Sequence, residues 1–294
     1  MSLLTVTPSG VRVLAPAKVN LYLRVIRRRP DGYHELDTLF ERVGLYDKLT
    51  FRHAPALTLR CSDPSLPTDE RNLALKAALA LKRHSGYGAG ASIRLVKRIP
   101  HAAGLGGGSS DAAAVLLGLD RLWRLGYGVR KLSRIGLEVG SDVPFFVAGV
   151  PFAVGRGRGE RLRPVPAGGV RLWHVLVKPP FGISTREAYQ GLDPVSLTPY
   201  RADAKMLLRS AKLGEWERLA GFLRNDLEVS LNKRVTEIAK IKAALVEQGA
   251  HASLLSGSGS TVFGVYASAR LAARAARRLR RLDRRWKVFV APTV

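Results

Sequence analysis

The 294-residue sequence is poor in cysteine, in acidic residues and in long apolar runs, and these shortages exclude several classes of protein. The single cysteine, Cys61, excludes an internal disulfide and any metal cluster built on several thiolates. No apolar stretch is long enough to cross a bilayer, and the first residues lack the basic head and apolar core of a signal peptide. We therefore expect a globular, cytoplasmic protein that does not contact the membrane.

Acidic residues are outnumbered two to one by basic ones, 23 against 48, which gives a net charge of +25 at pH 7. Such a surplus attracts polyanions, so a nucleic-acid-binding protein is one hypothesis. The densest basic stretch runs from Arg270 to Lys287, with leucine and alanine at helical spacing, and predicts an amphipathic helix with a basic outer face. Trp286 is the one aromatic residue there, so we expect nucleic-acid binding only as a side effect of charge.

Strand and helix patterns divide the chain into two parts. The first part predicts strands at 11–14, 19–26, 36–43 and 48–61, a helix at 72–84 capped by Asn72, a strand at 91–97 and helices at about 110–125 and 129–139. A boundary is expected at 160–170, which is rich in proline, glycine and charge. Beyond it we expect strands at 170–178, 253–255, 261–266 and 287–291 and helices between 185 and 248 and at 269–283. Two close strands flanked by helices predict a split β-α-β plait of the ferredoxin-like type.

A glycine-rich stretch, PHAAGLGGGSSDAAAVLL at residues 100–117, has the composition of a phosphate-binding loop. Glycines let backbone N–H groups approach an anion, and the helix that follows adds the positive end of its dipole. The lysine that ends a Walker loop is missing. Taken alone, the stretch is equally consistent with a flexible turn capped by serine.

Three segments together resemble the motifs of the GHMP kinases, a superfamily that binds ATP on such a loop without a Walker lysine. The glycine-rich stretch is similar to the second motif. APAKVNLYL at residues 15–23 resembles the first, and LLSGSGSTVF at 254–263 resembles the third, a glycine turn between two strands. The three motifs span nearly the whole chain in the expected order. The resemblance implies a two-domain α+β GHMP kinase fold, with a ribosomal-protein-like domain at 1–165 and a ferredoxin-like plait at 166–294.

Two further segments narrow the resemblance to one branch of the superfamily. RRPDGYHELDTLF at residues 28–40 and GSDVPFFV at 140–147 are similar to the signatures of the 4-diphosphocytidyl-2-C-methyl-D-erythritol kinases. That family phosphorylates the 2-hydroxyl of its cytidine-diphosphate-linked substrate with ATP, in the non-mevalonate route to isoprenoid precursors. Another GHMP kinase with a different acceptor remains the nearest alternative.

The resemblance also implies roles for particular residues. Asp142 is the expected base and Lys18 the cation that assists it, in a direct in-line transfer. The expected ATP-binding residues are Pro100, Gly104, Leu105, Gly106, Gly107, Gly108, Ser109 and Ser110, with Gly257, Ser258 and Gly259 as the third-motif loop. Without the resemblance, an aspartate in the turn before an apolar run is more often a helix cap, and Lys18 a surface lysine.

The resemblance further implies that the acceptor side involves an asparagine, aromatic rings and a hydroxyl, namely Asn20, Tyr33, His34, Thr185 and Tyr189. An aromatic ring can stack on a flat pyrimidine, although Tyr33 and His34 also follow a good turn signal. His101 and His251 have no partners at metal-ligand spacing, so Mg²⁺ is expected to enter with ATP. The role of Asp111 and the choice between monomer and homodimer stay open.

Overall fold

Two long strands, β2 (Gly10–Arg28) and β3 (His34–Ala54), form the centre of the larger sheet. The computed structural model describes residues 3–190, 192, 203–230 and 234–294. The sequence predicted β2 as two strands, but Pro16 does not interrupt it because the fixed φ of proline suits an extended chain. β3 likewise runs through Gly44 and ends just before Pro55.

The other described strands and helices follow in chain order. The strands are β1 (Leu4–Thr7), β4 (Thr58–Cys61), β5 (Gly90–Val96), β6 (Phe152–Gly157), β7 (Arg161–Pro164), β8 (Trp173–Lys178), β9 (Arg224–Asn225), β10 (Ala252–Leu255), β11 (Val262–Tyr266) and β12 (Lys287–Pro292). The helices are α1 (Leu73–Ser85), α2 (Gly107–Trp123), α3 (Val129–Val139), α4 (Val143–Ala148), α5 (Thr185–Gln190), α6 (Ala204–Leu213), α7 (Trp216–Phe222), α8 (Val235–Glu247) and α9 (Ala269–Leu282).

The chain forms two compact units, and the first comprises residues up to 17, 46–99 and 106–150. In this unit β1 pairs with the start of β2, the end of β3 pairs antiparallel with β5, and β5 pairs in parallel with β4. The helices α1 and α2 pack against each other, and α3 and α4 pack against α2. The cap predicted for α1 is confirmed, since the side chain of Asn72 accepts a hydrogen bond from the backbone N–H of Ala74 at 3.0 Å.

The second unit comprises residues 18–45, 100–105 and 151–294. Its smaller sheet is antiparallel in the order β10-β11-β8-β12, and α8 and α9 pack on it around a core of aliphatic and aromatic side chains. This is the plait predicted from the sequence, and the α+β class is confirmed. α9 is the predicted basic helix, with Ala272, Ala275, Ala276 and Leu279 buried and its arginines exposed.

Two boundaries differ from the sequence prediction in ways that matter for the site. α2 begins at Gly107 rather than near Ser110, so Gly107, Gly108 and Ser109, which the prediction left in the loop, belong to its first turn. The stretch 160–170 contains a strand, β7, paired antiparallel with β6. Compact units and family domains need not coincide, so the domain division at 165 stays a prediction.

Candidate active site

The glycine loop enters α2 through two residues in the left-handed region. Gly104 has φ +73° and Gly106, the N-cap of α2, has φ +67°. No side chain caps this end of the helix, and the first helical hydrogen bond runs from the N–H of Ser110 to the carbonyl of Gly106 at 2.9 Å. The N–H groups of Gly107, Gly108 and Ser109 therefore stand at a 17-residue helix N-terminus without an intrahelical acceptor, which is an arrangement suited to an anion.

The third-motif loop packs directly on the first part of the glycine loop, within the second unit. The Ser256 hydroxyl donates to the Gly104 carbonyl at 3.0 Å, and the Thr261 N–H donates to the Ala103 carbonyl at 3.2 Å. A Cβ atom on Gly104 would stand 1.9 Å from the Ser256 carbonyl oxygen, so only glycine fits there. The contact between the second and third motifs thus consists of backbone groups of Ala103, Gly104 and Thr261 together with the Ser256 hydroxyl.

Lys18 and Asn20 lie on the same face of β2 and are both buried. The Lys18 Nζ atom donates to Asn20 Oδ1 at 2.6 Å, and Asn20 Nδ2 donates to Thr38 Oγ1 at 2.8 Å. The backbone N–H of Lys18 donates to the Leu105 carbonyl at 3.0 Å. A Cβ atom on Gly257 would be 3.1 Å from Lys18 Nζ. The structure therefore brings together the first motif, the third-motif loop and the start of the glycine loop.

Asp142 lies in the first unit, at the residue before the short helix α4. It is half-buried, with φ −83° and ψ −14°, and its side chain does not cap α4. Gly140, two residues earlier, packs near Ser109, because a Cβ atom on Gly140 would stand 3.7 Å from Ser109 Oγ. The Asp142 turn and the first turn of α2 are therefore neighbours. Lys18 belongs to the other unit.

Two of the residues expected at the pyrimidine come together in the second unit. The rings of His34 and Tyr189 stack with centroids 5.0 Å apart and planes 26° apart. Burial, with a smaller effect of the Arg28 charge, lowers the pKa of His34 below its ordinary value, so this imidazole is neutral at pH 7. Tyr33 is exposed and instead has the Arg158 guanidinium 4.6 Å from its ring centroid. Thr185 Oγ1 lies 3.4 Å from Ser258 Oγ of the third-motif loop.

Sequence reasoning missed four polar residues that support the site. Thr38 orients the Asn20 amide, and Asn225 Nδ2 donates to the carbonyls of Leu255 and Gly257 at 2.9 and 2.7 Å. In the first unit, Lys97 Nζ bridges Asp47 at 2.5 Å and Asp111 at 2.7 Å. Lys97 could have been noticed from the sequence, because it stands three residues before Pro100, where the glycine-rich stretch begins. Asp47 and Asn225 are far along the chain from the motifs they support and carry no such signal.

No group of three or more His, Cys, Asp or Glu side chains within the described part of the chain is arranged to hold a metal ion. Among the described residues, no helix combines the length and the apolar character that crossing a membrane requires.

Two family models and several relatives match the chain. Residues 72–150 match the family described as GHMP kinases N terminal domain, and residues 207–284 match GHMP kinases C terminal. The 4-diphosphocytidyl-2-C-methyl-D-erythritol kinase of Pelotomaculum thermopropionicum is 45% identical over 93% of this chain and 95% of its own length.

Two solved structures have a similar fold. The crystal structure of a 4-(cytidine 5'-diphospho)-2C-methyl-D-erythritol kinase superposes with a TM-score of 0.82 at 35% identity, covering 96% of this chain and 98% of the other. A homoserine kinase from Cytophaga hutchinsonii, at 19% identity, shares the fold with a TM-score of 0.69 and covers 100% and 97% of the two chains. The chain therefore belongs to the GHMP kinases and, within them, to the 4-diphosphocytidyl-2-C-methyl-D-erythritol kinase family.

Proposed function

We propose that this enzyme transfers the γ-phosphoryl group of ATP to the 2-hydroxyl of 4-diphosphocytidyl-2-C-methyl-D-erythritol, giving the 2-phosphate and ADP, a step of the non-mevalonate isoprenoid route. The family membership supports a kinase, and the names of the relatives support this acceptor. The observation that carries the proposal is the N-terminus of helix α2, whose first N–H groups have no acceptor within the helix, beside the Asp142 turn.

The glycine loop binds the phosphates of ATP. The stretch from Pro100 to Ser110 supplies the backbone N–H groups of Gly107, Gly108 and Ser109, two serine hydroxyls and the positive end of the α2 dipole, and together these replace a Walker lysine. The ATP-binding residues are those named from the sequence, with Gly257, Ser258 and Gly259 supporting the loop. Mg²⁺ carried by ATP would supply positive charge that screens the phosphates.

Asp142 accepts the proton of the acceptor hydroxyl as its oxygen attacks the γ-phosphorus. The bond between that phosphorus and the bridging oxygen of ADP breaks in the same in-line displacement, and no phosphoenzyme forms. Lys18 stabilises the negative charge on the acceptor oxygen, and its contact with Asn20 fixes where the ammonium points. The proton of the substrate thus ends on the carboxylate of Asp142.

The acceptor's pyrimidine stacks on the aromatic pair of His34 and Tyr189, with Tyr33 at its exposed side. The neutral His34 imidazole reads a base edge by hydrogen bonding. Asn20 binds the acceptor near its reacting hydroxyl, and Thr185 lies beside the third-motif loop. We also propose that the enzyme works in the cytoplasm, because both of its substrates are small charged molecules.

A coupled assay of ADP release tests the function. The purified enzyme is compared with three acceptors, namely 4-diphosphocytidyl-2-C-methyl-D-erythritol, mevalonate and homoserine, each with MgATP. We expect turnover with the first at a rate at least about 100-fold above the others. Turnover with mevalonate or homoserine alone would assign a different acceptor, and background rates with all three would refute the kinase reaction as written.

A further inference from the structure

A buried ammonium with two carboxylates lies beneath the first turns of α2 in the first unit. Lys97 Nζ contacts one oxygen of Asp47 and one of Asp111, and all three side chains are at least nine-tenths buried. A Cβ atom on Gly107 would be 3.4 Å from Lys97 Nζ, so the ammonium reaches the helix residue that follows the N-cap. The proposed reaction uses none of these three groups.

The three residues connect both ends of the glycine loop to one strand. Asp47, on β3, accepts hydrogen bonds from the N–H groups of Arg98 at 2.5 Å and Ile99 at 2.9 Å, just before the loop. Asp111 lies in α2, just after the loop, and is held through Lys97. The entry and the exit of the loop therefore share one anchor, which fixes their separation.

The charge of this group matters because the loop above it binds phosphate. One ammonium and two carboxylates sum to −1, which opposes an incoming polyanion. Asp47 accepts hydrogen bonds from two backbone N–H groups and from Lys97. Within the described part of the chain, Lys97 is the one hydrogen-bond donor to Asp111, and the Asp111 Oδ1 atom is buried with no hydrogen-bond partner. The geometry thus singles out Asp111 as the carboxyl that carries a proton.

The pKa shifts of Asp111 and Lys97 agree with a protonated Asp111 beside a charged Lys97. Burial raises the pKa of Asp111 to about 8, against the lowering effect of Lys97. Burial lowers the pKa of Lys97, yet its interactions with Asp111 and Asp47 outweigh burial and raise the pKa overall, so the ammonium stays charged. The charged groups facing Asp111 come from β3 and from the residue after β5. The buried residues that α1, α3 and α4 contribute are all apolar.

We propose that Lys97, Asp47 and Asp111 form a clamp that sets the spacing of the glycine loop's ends and stays electrically neutral while nucleotide phosphate is bound, with Asp111 held as a carboxylic acid. Lys97 is then a positioning residue. The inference rests on the proposed ATP-binding role of the loop. It also accounts for Asp111, whose side chain faces Lys97 rather than capping the helix.

Calorimetry of Mg²⁺–adenylyl imidodiphosphate binding at pH 7.5 and 9.0 tests the clamp. In the wild type we expect the affinity for this nucleotide analogue to fall by up to about tenfold between pH 7.5 and pH 9.0. Proton uptake on binding should appear as a binding heat that changes with the ionisation enthalpy of the buffer. Asp111→Asn, which has the same shape but no proton to lose, should change less than about twofold. Equal pH dependence in both proteins would overturn the proposal.

A second variant tests the positioning role of Lys97. Lys97→Met should raise KM for ATP at least tenfold and leave KM for the acceptor nearly unchanged. Lys48→Met, which removes an exposed ammonium next to Asp47 on the same strand, is the matched control. Equal KM values for ATP in Lys97→Met and Lys48→Met would overturn the positioning role. If Lys97→Met does not fold, the pH dependence of nucleotide binding in the wild type and in Asp111→Asn tests the proposal instead. Absence of nucleotide binding in the wild type at pH 7.5 would instead refute the proposed function.

Discussion

The Lys18 ammonium donates to the Asn20 side chain at 2.6 Å, and both residues are buried on one face of β2. The amide cannot turn freely, because its nitrogen donates to Thr38 Oγ1, which in turn donates to the Tyr22 carbonyl at 2.6 Å. This chain of hydrogen bonds fixes the amide oxygen toward the lysine. The first motif therefore supplies a cation of defined position rather than a mobile surface lysine.

Lys18→Met should lower kcat by about 10²–10³-fold, because a buried cation that stabilises developing charge contributes roughly 3–4 kcal/mol to the transition state. KM for ATP should change little. Steady-state kinetics with Lys48→Met as the control for loss of one positive charge would measure this. A fall of less than about fivefold in kcat would remove Lys18 from the chemical step.

Gly104→Ala should both destabilise the protein and weaken ATP binding, since a Cβ atom there meets the Ser256 carbonyl oxygen. Gly126→Ala is the matched control, because Gly126 has φ +68° but open space around its Cβ position. The control should cost about 1–2 kcal/mol from the backbone alone, and Gly104→Ala about 1–3 kcal/mol more. Urea unfolding of the two variants gives the comparison, and equal costs would argue against the close packing of the two motifs.

Tyr189→Ala should raise KM for the cytidine-diphosphate acceptor by about 5–100-fold, as expected for loss of one aromatic stacking partner worth roughly 1–3 kcal/mol. Tyr189→Phe keeps the ring and should stay within about twofold. KM for ATP should be the same in both variants. If the alanine variant leaves the acceptor KM unchanged, the pyrimidine does not stack at His34 and Tyr189.

Asp111→Asn should stabilise the protein more at pH 8.5 than at pH 5. The pKa of Asp111 is raised from 3.8 to about 8 in the folded state, so the folded protein binds more protons than the unfolded chain between these values. Its contribution to stability is therefore present at low pH and lost as pH rises toward 8. We expect a gain of about 1–3 kcal/mol at pH 8.5 and little at pH 5. Thermal unfolding at both pH values would show it, and parallel pH profiles would contradict it.

Local patterns predicted most of the elements, including the Asn72 cap and the basic helix α9. They placed the start of α2 too late, because glycine is a poor helix former. Residue patterns also do not indicate a first helical turn whose N–H groups are left for a ligand. The motifs identified Lys18, Asp142 and the glycine loop as candidates. Their supporting residues, Asp47 and Asn225, are distant in sequence and were found only through the fold.

The most direct test of the account is the rate of phosphoryl transfer in Asp142→Asn, measured in a single turnover with saturating MgATP and acceptor. The amide keeps the size of the side chain but cannot accept the hydroxyl proton. We predict a rate about 10²–10⁴-fold below the wild type, with ATP and acceptor affinities unchanged. A rate within fivefold of the wild type would contradict the central claim that Asp142 is the base beside the phosphate loop.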